Sequence, residues 1–247
     1  MTNAAPPRFS LIIPARNEAA LLPRLLATVE AARSRYHDGP AAIEVIVADN
    51  LSTDDTAAIA RRHGCRVTQV ETRAIAAVRN GGAAVARGEI LAFVDADSRI
   101  HPDTFNAIDR ALRSGRVIGG ATGVKLERWS LGIWVTYVLL VSLVVLSGMD
   151  TGVVFCRRED FEAIGGYDER RLVAEDVVFL WTLRRRGRAR GQKLARVTEA
   201  KAIACMRKFD QFGDWHYFTR LAPGIIRAIR SRTAEEELGR RFWYDVR

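Results

Sequence analysis

Short apolar runs alternate with helical apolar spacing over the first hundred residues. Phe9-Ser10-Leu11-Ile12-Ile13-Pro14 reads as a buried strand that stops at its proline. Asn17 to Arg33 then carries Leu21, Leu22, Leu25, Leu26 and Val29 on one helix face. Ile43 to Asp49 is a second strand, after which Ser52 or Thr53 caps a helix running to about Arg62, with Asp54 and Asp55 at its positive end. Cys65 to Val70 is a third strand, Arg73 to Ala86 a helix, and Glu89 to Val94 a fourth strand ending at Asp95-Ala96-Asp97. Nearly continuous apolar strands alternating with helices predict an α/β fold, a mostly parallel sheet with helices on both faces. Ligands of such sheets sit beyond the carboxyl ends of the strands, where Asp49 and Asp95 both fall.

Past Pro102 the rhythm changes. The pattern predicts a helix near residues 103–113, a strand near 117–124, an uncharged stretch from Trp129 to Met149, and a strand from Gly152 to Cys156. A short helix closed by Gly165-Gly166, a helix from about Glu175 to Arg186, and a helical amphipathic tail from Phe209 follow. No repeat or Gly/Ser/Pro-rich linker interrupts the chain. The expectation is one domain over 1–247, with a first half (1–100) that binds a nucleotide and a second half (101–247) on the acceptor side.

Composition narrows the partners. The 247 residues carry 38 Lys and Arg against 29 Asp and Glu, a formal net charge of +9, which favours anionic ligands. Nucleic acid is not expected among them, because much of the excess is one run, Arg184 to Lys193, and carboxylates at strand ends would repel a phosphate backbone. Cys65, Cys156 and Cys205 form neither a disulfide framework nor a zinc motif, and the first residues show no secretion signal, so the expected location is cytoplasmic.

Asp95-x-Asp97 offers hard oxygen ligands suited to magnesium or manganese, although aspartates also end strands for no chemical reason. The surrounding motifs decide between these readings. Ile12-Ile13-Pro14-x-Arg16-Asn17-Glu18, Asp49 to Thr56, Arg79-Asn80-x-Gly82 and Gly88 to Asp97 occur in that order. Arg158-x-x-Phe161-x-x-Ile164-Gly165-Gly166-Tyr167-Asp168-Glu169 and Glu175-Asp176 follow. From about residue 9 to about residue 187 this series resembles the family 2 nucleotide-sugar glycosyltransferases. The resemblance implies the GT-A fold, a Rossmann-related three-layer sandwich, and an inverting transfer of sugar from a nucleotide-diphosphate donor to an acceptor hydroxyl with Mn2+ or Mg2+.

Roles follow from the resemblance. Pro14, Arg16 and Glu18 match the loop lining the nucleotide pocket, Asp49 the carboxylate on the base or ribose, and Arg79 a cation near the base and diphosphate. Asp95, Ala96 and Asp97 match the D-x-D, with Asp97 the metal ligand and Asp95 a ribose contact or second ligand. Asp176 matches the general base, with Glu175 as its fallback, and Arg207 is a candidate contact to acceptor or diphosphate. Many relatives have glycine where this chain has Leu51, which removes easy access to positive φ and predicts a different local turn. A sugar-phosphate nucleotidyltransferase and an inactive carbohydrate- or nucleotide-binding relative are the alternatives. The first expects a Gly-rich cationic loop after strand one, which is missing.

The uncharged segment 129–149 is long enough to span a bilayer, but a single crossing would separate Asp97 from Asp176. Three readings stay open: a helix buried in the core or a dimer interface, a helix in the membrane surface, and a re-entrant hairpin. Its polar residues do not gather on one face, which predicts full burial. Membrane contact would make the enzyme peripheral on the inner face and its acceptor lipid-linked. Arg207, Lys208, Trp215 and His216 lie in a concentrated aromatic and charged stretch, where Phe209, Phe212, Trp215 and Phe218 read as a packing face. His37, His63 and His101 show no ligand spacing.

Overall fold

A computed structural model describes residues 6–147, 149–171 and 174–215. The predicted tail beyond, including His216, Phe218 and Pro223-Gly224, lies outside the described residues. The strands are β1 (Phe9–Ala15), β2 (Ile43–Asp49), β3 (Arg66–Gln69), β4 (Ile90–Phe93), β5 (Val117–Ala121), β6 (Val124–Leu126), β7 (Val154–Arg157), β8 (Lys193–Arg196) and β9 (Ala202–Ala204). The helices are α1 (Leu22–Arg35), α2 (Thr56–Arg62), α3 (Ile75–Ala84), α4 (Thr104–Arg113), α5 (Leu131–Ser147), α6 (Arg158–Ala163), α7 (Glu175–Arg188) and α8 (Arg207–Phe212).

Seven strands form one sheet in the order β3-β2-β1-β4-β7-β5-β8. β3, β2, β1 and β4 are mutually parallel, β7 is antiparallel to both its neighbours, and β8 is parallel to β5. Successive side chains of a strand point to opposite faces, and β1 shows the consequence. Leu11 and Ile13 pack with Leu22, Leu25 and Val29 of α1 and Phe105, Ile108 and Leu112 of α4. Ile12 packs on the other side with Ala76 and Ala83 of α3 and Phe179, Leu180 and Leu183 of α7. The chain is therefore a helix–sheet–helix sandwich, as the apolar pattern predicts.

Close packing of α3 sets the site. Gly82 lies so near β1 that a Cβ there would sit 2.4 Å from Ile12 Cγ2. Only a residue without a side chain lets this helix lie on the strands, and that approach carries Arg79, one turn earlier, over their carboxyl ends.

Several boundaries differ from the sequence reading for identifiable reasons. β1 continues through Pro14, which is buried opposite Ala48 of β2, because β4 pairs only as far as Ile12 and no neighbour on that side needs the missing N–H. The first helix starts at Leu22 rather than Asn17: Asn17 adopts φ 50° and its Oδ1 accepts from the Thr53 N–H. Neither Ser52 nor Thr53 caps α2. Ser52 Oγ instead accepts from the Asn17 N–H, and Asp54 accepts from the Thr56 N–H where α2 begins. The cationic run is not all helix end, since it turns at Gly191 and enters edge strand β8. The short parallel pair β6–β9 was not anticipated.

The uncharged segment forms one helix, so the re-entrant hairpin is ruled out. Full burial within the chain's own core also fails. Ile133 and Thr136 face inward, whereas Leu131 is 71% exposed, Trp134 54% and Leu139 55%. Among the described residues no helix is long and apolar enough to cross a membrane.

Candidate active site

Strand ends and loops bring the predicted residues to one edge of the sheet. Ala15 and Asp49 are register partners at the ends of β1 and β2, and β4 runs beside them into Val94-Asp95-Ala96-Asp97. The Asn50 N–H donates to the Ala15 carbonyl and its side-chain amide donates to the Val70 and Thr72 carbonyls, which ties together the loops after β1, β2 and β3. Asp49 is 2% exposed, and its Oδ1 is buried without a hydrogen-bond partner; the Nε of Arg16 is in the same condition. A buried carboxylate oxygen left unpaired is costly, and a hydrogen-bond donor from a ligand would relieve that cost.

Beside this edge lies a cavity of about 460 Å³. Asp95, Asp97, Asp176, Arg79 and Arg207 line it, whereas Pro14, Arg16, Glu18 and Asp49 do not. The predicted residues thus divide into a group at the ends of β1 and β2 and a group around the cavity.

Two arginines organise the carboxylates. Arg79 Nη2 donates to Asp95 at 3.0 Å and Nη1 donates to Glu175 at 2.8 Å. The same Nη1 is 2.9 Å from Asp176 Oδ1, within ion-pair distance but without the alignment of a hydrogen bond. One cation so joins the end of β4 to the start of α7. Arg207, on α8, forks onto both oxygens of buried Glu18 at 2.9 and 3.2 Å and reaches Asp97 at 3.1 Å.

Burial pushes the Asp176 carboxyl from 3.8 up to about 7; Arg79 opposes the rise, and Glu175 and Asp95 add to it. Arg79 is held well above its ordinary value by these acids against the cost of its own burial, so it stays charged. A carboxyl titrating near neutrality inside a cavity is the kind of group that accepts a proton during catalysis.

Two further side chains support this arrangement, and neither was assigned a role from the sequence. Asn80 accepts from the Tyr167 N–H and donates to the Tyr167 carbonyl, both at 2.9 Å. The buried Tyr167 ring stacks on Phe179 of α7 at 4.2 Å and lies under the Arg79 guanidinium. The signal was present in the quoted motifs, but what each residue pairs with depends on contacts remote in sequence.

Asp95 and Asp97 fit a divalent cation in donor type: two hard carboxylates beside open cavity space, leaving positions for phosphate oxygens and water. A second set, His37, Asp38 and Asp109, has ligand atoms within 4.8 Å of one another. It does not suit a metal, because Arg8 and Arg113 already bind both oxygens of Asp109.

Leu51 corrects an expectation. It takes φ 54°, so the left-handed turn forms without glycine. Asn17 and Ala174 are the other non-glycine residues with positive φ among the described residues, and all three flank the site. Strain of this kind concentrates where surrounding structure fixes functional groups.

Comparison with known proteins gives this geometry its context. The sequence model described as glycosyl transferase family 2 matches residues 10–132. The chain belongs to that family. An uncharacterised glycosyltransferase of Mycobacterium tuberculosis is 34% identical over 88 residues, 36% of this chain and 36% of that protein. Validoxylamine A glucosyltransferase of Streptomyces hygroscopicus is 38% identical over 95 residues, 36% of this chain and 22% of that protein. The chain thus spans about a third or less of the length of these curated relatives. The fold is GT-A: a mannosyltransferase from Pyrobaculum calidifontis, solved with GDP-mannose and Mn2+, superposes with TM-score 0.61 at 24% identity, covering 81% of this chain and 57% of that one. Glucosyl-3-phosphoglycerate synthase from Mycobacterium tuberculosis, solved with Mn2+ and UDP, gives 0.57 at 22% identity, covering 85% and 76%.

Proposed function

We propose that this chain transfers a sugar from a nucleotide-diphosphate donor to an acceptor hydroxyl with inversion at the anomeric carbon. The observation that carries the reading is the placement of Asp95, Asp97 and Asp176, from two distant segments, around one cavity with Arg79 between them. Asp176 takes the hydroxyl proton as the acceptor oxygen bonds to the anomeric carbon. The carbon–oxygen bond to the diphosphate breaks and its electron pair leaves with the nucleotide. Such a displacement needs a base on one side of the sugar and charge neutralisation on the other.

Asp49 and Arg16 hold the nucleoside end in this reading, and their unpartnered buried atoms support it. Asp97, with Asp95, would hold Mn2+ or Mg2+, which when bound supplies positive charge to the leaving diphosphate. Arg207 stands beside Asp97 and would face the same phosphates. Glu175, already bonded to Arg79, supports Asp176 rather than replacing it. Residues 1–247 act as a single catalytic unit in a cytoplasmic enzyme. The exposed Trp129, Leu131, Trp134 and Leu139 support its resting against a membrane surface through α5.

A thermal-shift panel of UDP-, GDP-, ADP- and CDP-sugars, each with manganese or EDTA, tests the proposal. A ligand that prefers the native state raises Tm by mass action. The expected result is a raised Tm with one nucleotide class that disappears in EDTA. No shift with any donor would sink the reading in favour of an inactive relative.

A further inference from the structure

The cavity holds four cationic side chains, and three are committed. Arg79 serves Asp95, Glu175 and Asp176; Arg207 serves Glu18 and Asp97; Arg196 bonds Asp150 at 3.1 Å. Lys201 lines the same cavity and has no ion-pair partner among the described residues. It is half-buried, at the entry to β9, where the small β6–β9 sheet and α5 supply the wall. That wall is mostly apolar, with Val124 and Leu126 from β6, Ile133 and Tyr137 from α5 and Phe209 from α8, interrupted by Thr136 of α5.

A cation partly withdrawn from water wants a counter-charge, and an apolar wall wants an apolar ligand. The two requirements meet in one molecule. We propose that this part of the cavity is an acceptor subsite for an anionic group carried on an apolar body, with Lys201 as its counter-charge. The inference rests on the transferase reading for its word acceptor, and it narrows that reading to a substrate class. Lys201 selects and holds the acceptor, and Asp176, in the same cavity, meets its hydroxyl.

The test is calorimetric titration of the whole chain with hexyl phosphate, hexanol and inorganic phosphate, repeated on Lys201→Gln and Lys201→Arg. Hexyl phosphate should bind at least tenfold tighter than either hexanol or inorganic phosphate. Lys201→Gln should lose that advantage and Lys201→Arg should keep most of it. Saturating nucleotide with manganese should leave hexyl phosphate binding in place, because the donor is assigned to Asp95, Asp97 and Arg207 and not to Lys201. Equal binding of hexyl phosphate and hexanol would overturn the proposal by removing the anion. Equal binding of hexyl phosphate and inorganic phosphate would overturn it by removing the apolar body. So would an affinity unchanged in Lys201→Gln, or displacement of hexyl phosphate by nucleotide. Nucleotide titration of the same proteins separates the two readings: if hexyl phosphate meets every expectation and no nucleotide binds, the transferase reading alone fails.

Discussion

Two buried arginine–carboxylate clusters stand at opposite ends of the sheet, and they differ in arithmetic. Where β1 begins, Asp109 of α4 receives Arg8 at 2.8 Å, Arg113 at 2.6 Å and the Tyr36 hydroxyl at 3.3 Å. Two cations reach this one carboxylate, and each also pairs outward, Arg8 with Glu89 and Arg113 with Asp38. Burial alone would push the Asp109 carboxyl up, but Arg8 and Arg113 more than reverse that and hold it below its ordinary value. Where β1 ends, one cation, Arg79, serves Asp95, Glu175 and Asp176, and desolvation pushes Asp176 up to about 7. Two cations hydrogen-bonded to one buried carboxylate hold it ionised; one cation shared among three leaves one ready to take a proton. The first cluster clips α4 to the sheet, and the second supplies the proposed base.

Replacing each carboxylate should break the comparison in opposite ways. Asp176→Asn is expected to lower transfer by about 10²–10⁴-fold, the contribution typical of a general base, while the nucleotide-dependent Tm shift stays. Turnover within a few-fold of the parent enzyme would remove Asp176 from the mechanism. Asp109→Ala leaves Arg8 and Arg113 without their buried partner and should cost about 3–5 kcal/mol of stability in urea unfolding. Its kcat per folded molecule should be unchanged.

Titration sharpens the same contrast. A base must be deprotonated, so kcat should rise with pH through about 7 and level off above it. Arg79 opposes the upward shift, so Arg79→Gln should move the midpoint higher; an unmoved midpoint would mean that Asp176 does not set it. The stability signs are opposite. Between 3.8 and about 7 the folded state retains a proton on Asp176 that the unfolded chain has released, so this group makes stability fall as pH rises through that window. Asp109 is ionised more readily in the fold, so its contribution is full above 3.8 and is lost as pH falls below.

The sheet was legible in the sequence because its strands are buried on both faces and so read as continuous apolar runs. Strand ends alone pointed to Asp49 and Asp95, whereas reading Asp97 as a metal ligand and Asp176 as a base needed the family motifs. Three things were hidden. β8 lies at a sheet edge with exposed Lys193 and Arg196, so its pattern looks like a charged helix end. The exposed side of α5 was hidden because helical periodicity ranks faces by polarity, and this helix has almost none to rank. The Asp109 cluster pairs Arg113 at an ordinary i,i+4 helix spacing with Arg8 and Tyr36, which no local spacing connects to it.

The smallest expected effect concerns the strained turns that flank only one of the two clusters. Leu51 holds φ 54° with its side chain 40% exposed, so it packs little in return for a conformation that disfavours any Cβ. The left-handed region costs an L-residue roughly 1–2 kcal/mol, and glycine gives back about 0.5–1 kcal/mol through its freer unfolded chain. Leu51→Gly should therefore stabilise the protein by about 0.5–1 kcal/mol in urea unfolding. The turn is already held by the Asn17–Ser52 and Asn17–Thr53 hydrogen bonds, so its shape and the adjacent nucleotide site should not change. Unchanged nucleotide affinity in a more stable variant would show that Leu51 adds strain and nothing else. Weaker nucleotide binding would instead show that the exposed leucine side chain itself touches the ligand, and that the strain is retained for that contact.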